Sequence, residues 1–493
     1  MRTKLSIALI LLVAGCSKNA LKNDQDFACF ENIPDSCERY DPAPKMPTNF
    51  EGVPPICLAL SGGGIRSAAV SLGVLQELHR RELLSKISFV SSVSGGGYPV
   101  AGILRLMTKN AYASVDSVLG SESAYLQGDA LKSNFISKPK MLSNIALGAL
   151  FSLTELFNLG SPEFDDLHYS ASHIAYESDI GNAFASTKFE PFFSWPKLAV
   201  VPTIKGFPYP IFLASANANS KYPARSGHRY DGKDIFELTP QWIGSERTGY
   251  WANFTNDLTL GNAIAISAAA VDTPGDIEDG EPVSQQMKRL GFRLGAAIPT
   301  ADKKDWVYVA DGGFIDNLAV IPLLRRGCKK IVALDASFDP TGEFKAWDSL
   351  SKIVAREYGV MEPLTNPLTN AVPGKKGGWA LEDHIWSSKV VYPDRTSEII
   401  AMKLGLATGN SGIYEGLLSK YNQHDGAGDL CSYPNLPKGL RYYIKTDCPF
   451  PLQTTGKQQY DSVEFSEYRA MGRHLVVQLL NELKNSGEPL DAF

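Results

Sequence analysis

The sequence predicts an α/β protein with a mainly parallel central sheet, and three observations carry that prediction. Residues 56–60 are a continuous apolar run of strand length, and 87–93 form a second, mainly apolar one. Each run stops at a glycine cluster, Ser61-Gly62-Gly63-Gly64 and Ser94-Gly95-Gly96-Gly97. Each cluster leads into a helical pattern, over 66–80 with Val70, Val74 and Leu78 at i, i+4 and i+8, and over 98–107. Apolar strands without polar alternation are buried on both faces. Strands that alternate with helices build a parallel sheet covered by helices.

The remaining elements are read in the same way. Further apolar strands are expected at 210–215, 306–310 and 330–334, and a late one at 439–445. The Ala-rich stretch 260–270 and the amphipathic stretch 465–483 read as helices. Residues 141–159 are apolar nearly all round a helix, which fits a core helix, a lid or a membrane-docking segment. Asn144, Glu155 and Asn158 interrupt it and argue against a span. No linker divides 56–486, so one large domain is expected there, with an irregular insertion over about 108–205 that could form a lid.

Composition narrows the function classes. The 493 residues are 44% hydrophobic and 20% charged, which excludes long disorder, collagen-like repeats and a polytopic membrane protein. Forty-eight Lys and Arg against 53 Asp and Glu leave a net charge of -5, and no stretch is strongly basic. Nucleic acid is therefore not an expected partner.

The first residues read as an address. Arg2 and Lys4 precede an apolar core over 5–13, too short to cross a bilayer as a helix, which ends in Val13-Ala14-Gly15-Cys16. This resembles the lipobox of bacterial lipoproteins, with Val13 where Leu is usual. The resemblance implies cleavage after residue 15, lipidation of Cys16, and a place in the bacterial cell envelope. Ser17, rather than Asp, points to the outer membrane. Residues 16–55, rich in Asn, Asp, Pro and Lys, read as a tether and a loop leading into the domain. An exported chain meets an oxidising compartment, where Cys29 with Cys37 and Cys431 with Cys448 could each close a small loop. Cys57 and Cys328, in or beside buried strands, are expected to be packed thiols. No CxxC pair or HExxH helix is present, so no metal site and no cofactor is expected.

Three clusters carry chemistry. Ser92-Val93-Ser94-Gly95-Gly96 has the layout of a nucleophile elbow with Ser in place of the first Gly. A sharp strand-to-helix turn lifts a hydroxyl clear of the sheet, and small neighbours let a substrate approach. The run Gly62, Gly63, Gly64 ends the neighbouring strand, so both loops should open at the carboxyl edge of one sheet, where α/β proteins bind ligands. Successive glycine amides at a helix start form an anion cradle, which serves as an oxyanion hole when aimed at an acyl carbonyl. A nucleotide-binding loop would need the Gly-Lys-Ser/Thr of a P-loop or a G-x-G-x-x-G, and neither is there. Asp311-Gly312-Gly313 closes the strand at 306–310 and offers a carboxylate at a strand end.

The succession SGGGIRS, SVSGGG and DGG resembles the patatin-like phospholipases, including the branch with the cytosolic phospholipases A, over roughly residues 55–480. IFELTPQWIG, AIAISAAA and FIDNL resemble further family segments. The resemblance implies a three-layer α/β/α patatin-like fold. It also implies a Ser–Asp dyad without histidine, acting on acyl esters of phospholipids or lysophospholipids. Ser94 falls at the nucleophile, Asp311 at the dyad acid and Gly62, Gly63 and Gly64 at the oxyanion hole. Arg66 matches an arginine linked to phosphate recognition. A triad through His384 or His424 is the mechanistic rival, since both follow Asp311 in the Ser…Asp…His order of α/β-hydrolases. Asp316 and Asp335 are reserve carboxylates. A lipid acyltransferase using the same dyad, and a catalytically silent envelope lipoprotein that binds lipid or a protein, remain the alternative functions.

Overall fold

The computed structural model describes residues 56–108, 114–119, 168–169, 171–184, 195–201, 204–217, 233–245, 248–252, 258–270, 294–299, 306–339, 344–357, 359–365, 384–405, 455, 460 and 462–485. The proposed leader, the Cys29/Cys37 and Cys431/Cys448 pairs, the helix expected at 141–159, the strand expected at 439–445 and His424 lie outside the described residues.

Among the described residues, thirteen strands form one sheet: β1 (Ile56–Leu60), β2 (Ile87–Val93), β3 (His168–Tyr169), β4 (Tyr209–Asn217), β5 (Lys233–Leu238), β6 (Trp242–Ser245), β7 (Gly249–Ala252), β8 (Ala296–Pro299), β9 (Trp306–Asp311), β10 (Lys330–Asp335), β11 (Val360–Met361), β12 (Ile385–Val391) and β13 (Thr396–Lys403). The helices are α1 (Gly64–Arg80), α2 (Gly97–Thr108), α3 (Val115–Leu119), α4 (Ala171–Phe184), α5 (Leu260–Ser267), α6 (Ile321–Arg325), α7 (Lys345–Arg356) and α8 (Ser462–Asn485). The centre of the sheet is parallel, in the order β13-β10-β1-β2-β4. Antiparallel strands extend it on both sides, β12 and β11 beyond β13, and β5, β6 and β7 beyond β4.

The alternation of side chains along the central strands builds two cores. Leu58 and Leu60 of β1 face the core shared with α1, α2 and α8, while Cys57 and Ala59 face the core shared with α6 and α7. The expected three-layer α/β/α arrangement follows. The terminal helix α8 docks on α1 at two glycines. A methyl group on Gly73 would run into the Arg469 carbonyl, and one on Gly472 into that of Val70, so the two backbones touch.

One expectation is corrected. Cys57 and Cys328 form a disulfide, with their Cα atoms 6.1 Å apart. Pairing of β1 with β10 sets Cys57 opposite Ile331, three residues past Cys328, and so joins cysteines 271 positions apart.

Candidate active site

The site forms where two strands meet head-on along the same edge of β4. β2 runs parallel to β4, and its last residue, Val93, pairs with Leu213. β9 runs the other way, and its last residue, Asp311, pairs with the next position, Ala214. Both chains must turn out of the sheet there, and Ser94 and Asp311 occupy the two facing tips. Ser94 turns with φ +52°, a left-handed conformation uncommon for a non-glycine residue and fitting a sharp elbow. Beyond it, Ser94–Gly96 forms a 3-10 turn leading into α2.

Asp311 is nearly buried, and burial pushes its carboxyl from 3.8 up to about 7. The Gly313 N–H and the Ser94 hydroxyl, as hydrogen-bond partners of the carboxyl, pull it back down. The Gly313 N–H donates to Asp311 Oδ1 at 2.7 Å. Ser215 of β4 donates its hydroxyl to the Asp311 carbonyl at 2.7 Å, fixing the strand tip. The arrangement is a hydroxyl beside a carboxyl whose proton affinity lies near neutrality, the range suited to general-base work.

The glycine run lies against the elbow. A methyl on Gly95 would run into the Gly64 carbonyl, and one on Gly62 would come to 3.5 Å from Ser94 Cβ. Gly63 (φ +145°) and Gly64 (φ +61°) adopt conformations that side chains resist, and these set their amides at the start of α1. The three amides do not share one role. The Gly62 N–H donates to the Asn317 carbonyl at 2.9 Å, whereas those of Gly63 and Gly64 head the helix, where no intrahelical acceptor exists. The Gly62 amide is therefore already engaged, which leaves those of Gly63 and Gly64 as the candidates for an anion cradle.

Arg66 points inward. Its Nε and Nη2 donate to the Ala336 carbonyl at 3.3 and 2.8 Å, and its guanidinium lies 5.9 Å from the Phe338 ring centre. It braces the glycine run against the loop after β10, and a headgroup contact through the same donors would have to break those bonds. That loop is itself pinned by buried Lys403, whose Nζ is 2.8 Å from Asp335 and 3.0 Å from Asp339. Asp335 also accepts from Trp347 Nε1 at 2.8 Å, so it is a structural group. Asp316 is structural too, accepting the N–H groups of Leu318 and Ile321 at 3.1 and 2.8 Å at the entrance to α6.

His384 precedes β12, four strands from β2 and therefore about 19 Å away across the sheet. Its Nδ1 bonds the Lys403 carbonyl at 3.0 Å, and burial depresses its pKa to about 4. Among the described residues, no three His, Cys, Asp or Glu side chains cluster as a metal site would require.

Two residues of the site were not singled out from sequence. Ser267, last residue of α5, lies within the AIAISAAA segment, and its hydroxyl touches both Ser94 and β4. Asn317, within FIDNL, holds Gly62. The segment resemblance was the available signal, but it did not say which atoms mattered.

Comparison with solved structures settles the architecture. The chain superposes on human GIVD cytosolic phospholipase A2 in complex with methyl gamma-linolenyl fluorophosphonate with a TM-score of 0.50. The two are 14% identical over 96% of this chain and 62% of the other. The fold is that of human cytosolic phospholipase A2. The same phospholipase without that inhibitor gives 0.49 at 15% identity, over 97% of this chain and 63% of that one. This chain thus matches less than two thirds of the cytosolic phospholipase's length. No family model matches it, and no curated protein matches it in sequence.

Proposed function

We propose that this protein is a serine acyl hydrolase that cleaves ester-linked acyl chains of phospholipids or lysophospholipids. One observation carries the reading: the hydroxyl of a left-handed elbow meets a buried carboxyl raised to about 7, beside two helix-heading glycine amides. In the first half-reaction the Asp311 carboxylate takes the Ser94 proton as Oγ bonds to the ester carbonyl carbon. The Gly63 and Gly64 amides hold the resulting oxyanion, each such donor contributing roughly 3–4 kcal/mol. Collapse breaks the ester bond, and the departing alcohol leaves with the proton from Asp311. In the second half a water molecule gives its proton to Asp311 and attacks the acyl carbon. Ser94 recovers its proton as the fatty acid departs. The shared fold with cytosolic phospholipase A2 supports this reading.

In the same reading, residues 1–15 are removed, Cys16 carries lipid, and the domain works at a membrane surface of the bacterial envelope. The buried disulfide supports an oxidising location. No helix among the described residues is long and apolar enough to cross a membrane.

The deciding experiment uses methyl gamma-linolenyl fluorophosphonate on the full chain. Attack by Ser94 Oγ on phosphorus expels fluoride, leaving one covalent adduct per chain. The wild type is expected to take the label and to release fatty acid from phospholipid vesicles, and Ser94→Ala to do neither. Labelling or turnover that survives Ser94→Ala would sink the assignment.

A further inference from the structure

We propose that Ser267 is the positioning residue for Ser94, a role that rests on the hydrolase reading above. Where β2 leaves the sheet, the Ser94 N–H no longer pairs with β4 through the strand ladder, whose last β2–β4 pair is Val93 with Leu213. The Ser267 hydroxyl bridges the two instead. It accepts from the Ser94 N–H at 3.1 Å and donates to the Leu213 carbonyl at 2.7 Å. Leu213 pairs with Val93, and its neighbour Ala214 pairs with Asp311. One hydroxyl therefore ties the elbow to the strand position next to the one against which Asp311 is aligned.

The delivery of that hydroxyl is built in. All eight residues of α5 are buried. The helix is fixed at its start by a reciprocal cap, Thr259 Oγ1 accepting from the Asn262 N–H at 2.9 Å and Asn262 Oδ1 from the Thr259 N–H at 3.0 Å. Glu177 of α4 then accepts from Thr259 Oγ1 at 3.2 Å and from Asn262 Nδ2 at 2.8 Å. A helix held this firmly at one end presents Ser267 at the other with little freedom. Ser94 needs the restraint, because its left-handed backbone is a conformation that a non-glycine residue leaves readily when nothing holds it.

The test compares Ser267→Ala and Ser267→Thr with wild type, in the full chain. Ser267→Ala leaves the Ser94 N–H without its acceptor and lets the hydroxyl swing. The expected result is a kcat on a soluble ester lower by about 10- to 100-fold with KM within about twofold, matched by slower fluorophosphonate labelling. A second readout is the acid limb of the pH–rate profile. The limb should move to higher pH, because a displaced Ser94 no longer lowers the proton affinity of Asp311. Ser267→Thr keeps a hydroxyl and is expected to recover most of kcat. A Ser267→Ala protein that melts earlier yet keeps the wild-type kcat and acid limb would overturn the proposal, leaving Ser267 a packing residue only. Hydrogen exchange separates this outcome from failure of the hydrolase reading. If wild type neither labels nor turns over ester, the hydrolase reading falls. Selective loss of protection at the Ser94 amide in Ser267→Ala would still uphold the tether, and unchanged protection there would remove it too.

Discussion

Replacing Asp311 with asparagine separates two consequences of burying a carboxyl that the proposed mechanism uses as a base. Burial raises this group from 3.8 to about 7. In the proposed mechanism the active form is the carboxylate, so below pH 7 the rate is expected to fall about tenfold for each pH unit. An unshifted aspartate would hold the rate flat down to about pH 5. Stability runs the opposite way. The folded pKa lies above the unfolded one, so folding retains a proton that the open chain has lost. The associated stability is fully present below about pH 4 and is lost as pH rises through about 7. From pH 5 to pH 8.5 the loss amounts to about 3 kcal/mol. A carboxamide in the same place has no proton to lose. The Asp311→Asn protein should therefore be inactive at every pH. Its stability relative to wild type should improve by about 3 kcal/mol between pH 5 and pH 8.5. Denaturant titrations of both proteins at the two pH values supply the number, and other titrating groups, Glu177 and Asp316 among them, cancel in the difference. A wild-type rate that stays level from pH 5.5 to 8.5, or a stability difference that does not change with pH, would refute the reasoning.

Two further perturbations follow from the geometry. His384→Ala should keep activity within about threefold of wild type, since the ring lies four strands from Ser94; a loss as deep as that of Asp311→Asn would restore the triad. The Cys57–Cys328 bond closes a very long loop between two buried sulfurs. Dithiothreitol should leave it intact in native buffer and cleave it in denaturant, and the reduced, refolded protein should be less stable by about 2–5 kcal/mol, as read by the denaturant midpoint.

Most of the parallel heart of the fold was legible because β1, β2, β4 and β10 carry mainly apolar stretches of strand length, the first two stopped by glycine. β1 and β2 fall where the sequence put them, and the helix expected at 66–80 begins two residues earlier, at Gly64. β13 was missed. Its sequence, TSEIIAMK, mixes polar and apolar residues and ends in a lysine that reads as solvent-facing. Lys403 is buried only because Asp335 and Asp339 meet it from another strand and loop. The disulfide was missed for the same reason: strand pairing across hundreds of residues leaves no local trace. Ser94, Asp311 and the glycine run are recognisable as residue types at strand ends. That Gly62 is held by Asn317, that Arg66 turns inward, and that Ser267 reaches the elbow are facts of side-chain direction, which spacing alone does not encode.

β4 serves this molecule as a gauge. Its adjacent positions Leu213 and Ala214 set the distance between two chain segments that approach from opposite directions. One residue inserted between them would lengthen that interval by about 3.3 Å and turn every later side chain to the opposite face. Such an insertion would part hydroxyl from carboxyl without touching either. Changes of length can therefore accumulate in the outlying loops, but this single peptide step admits none.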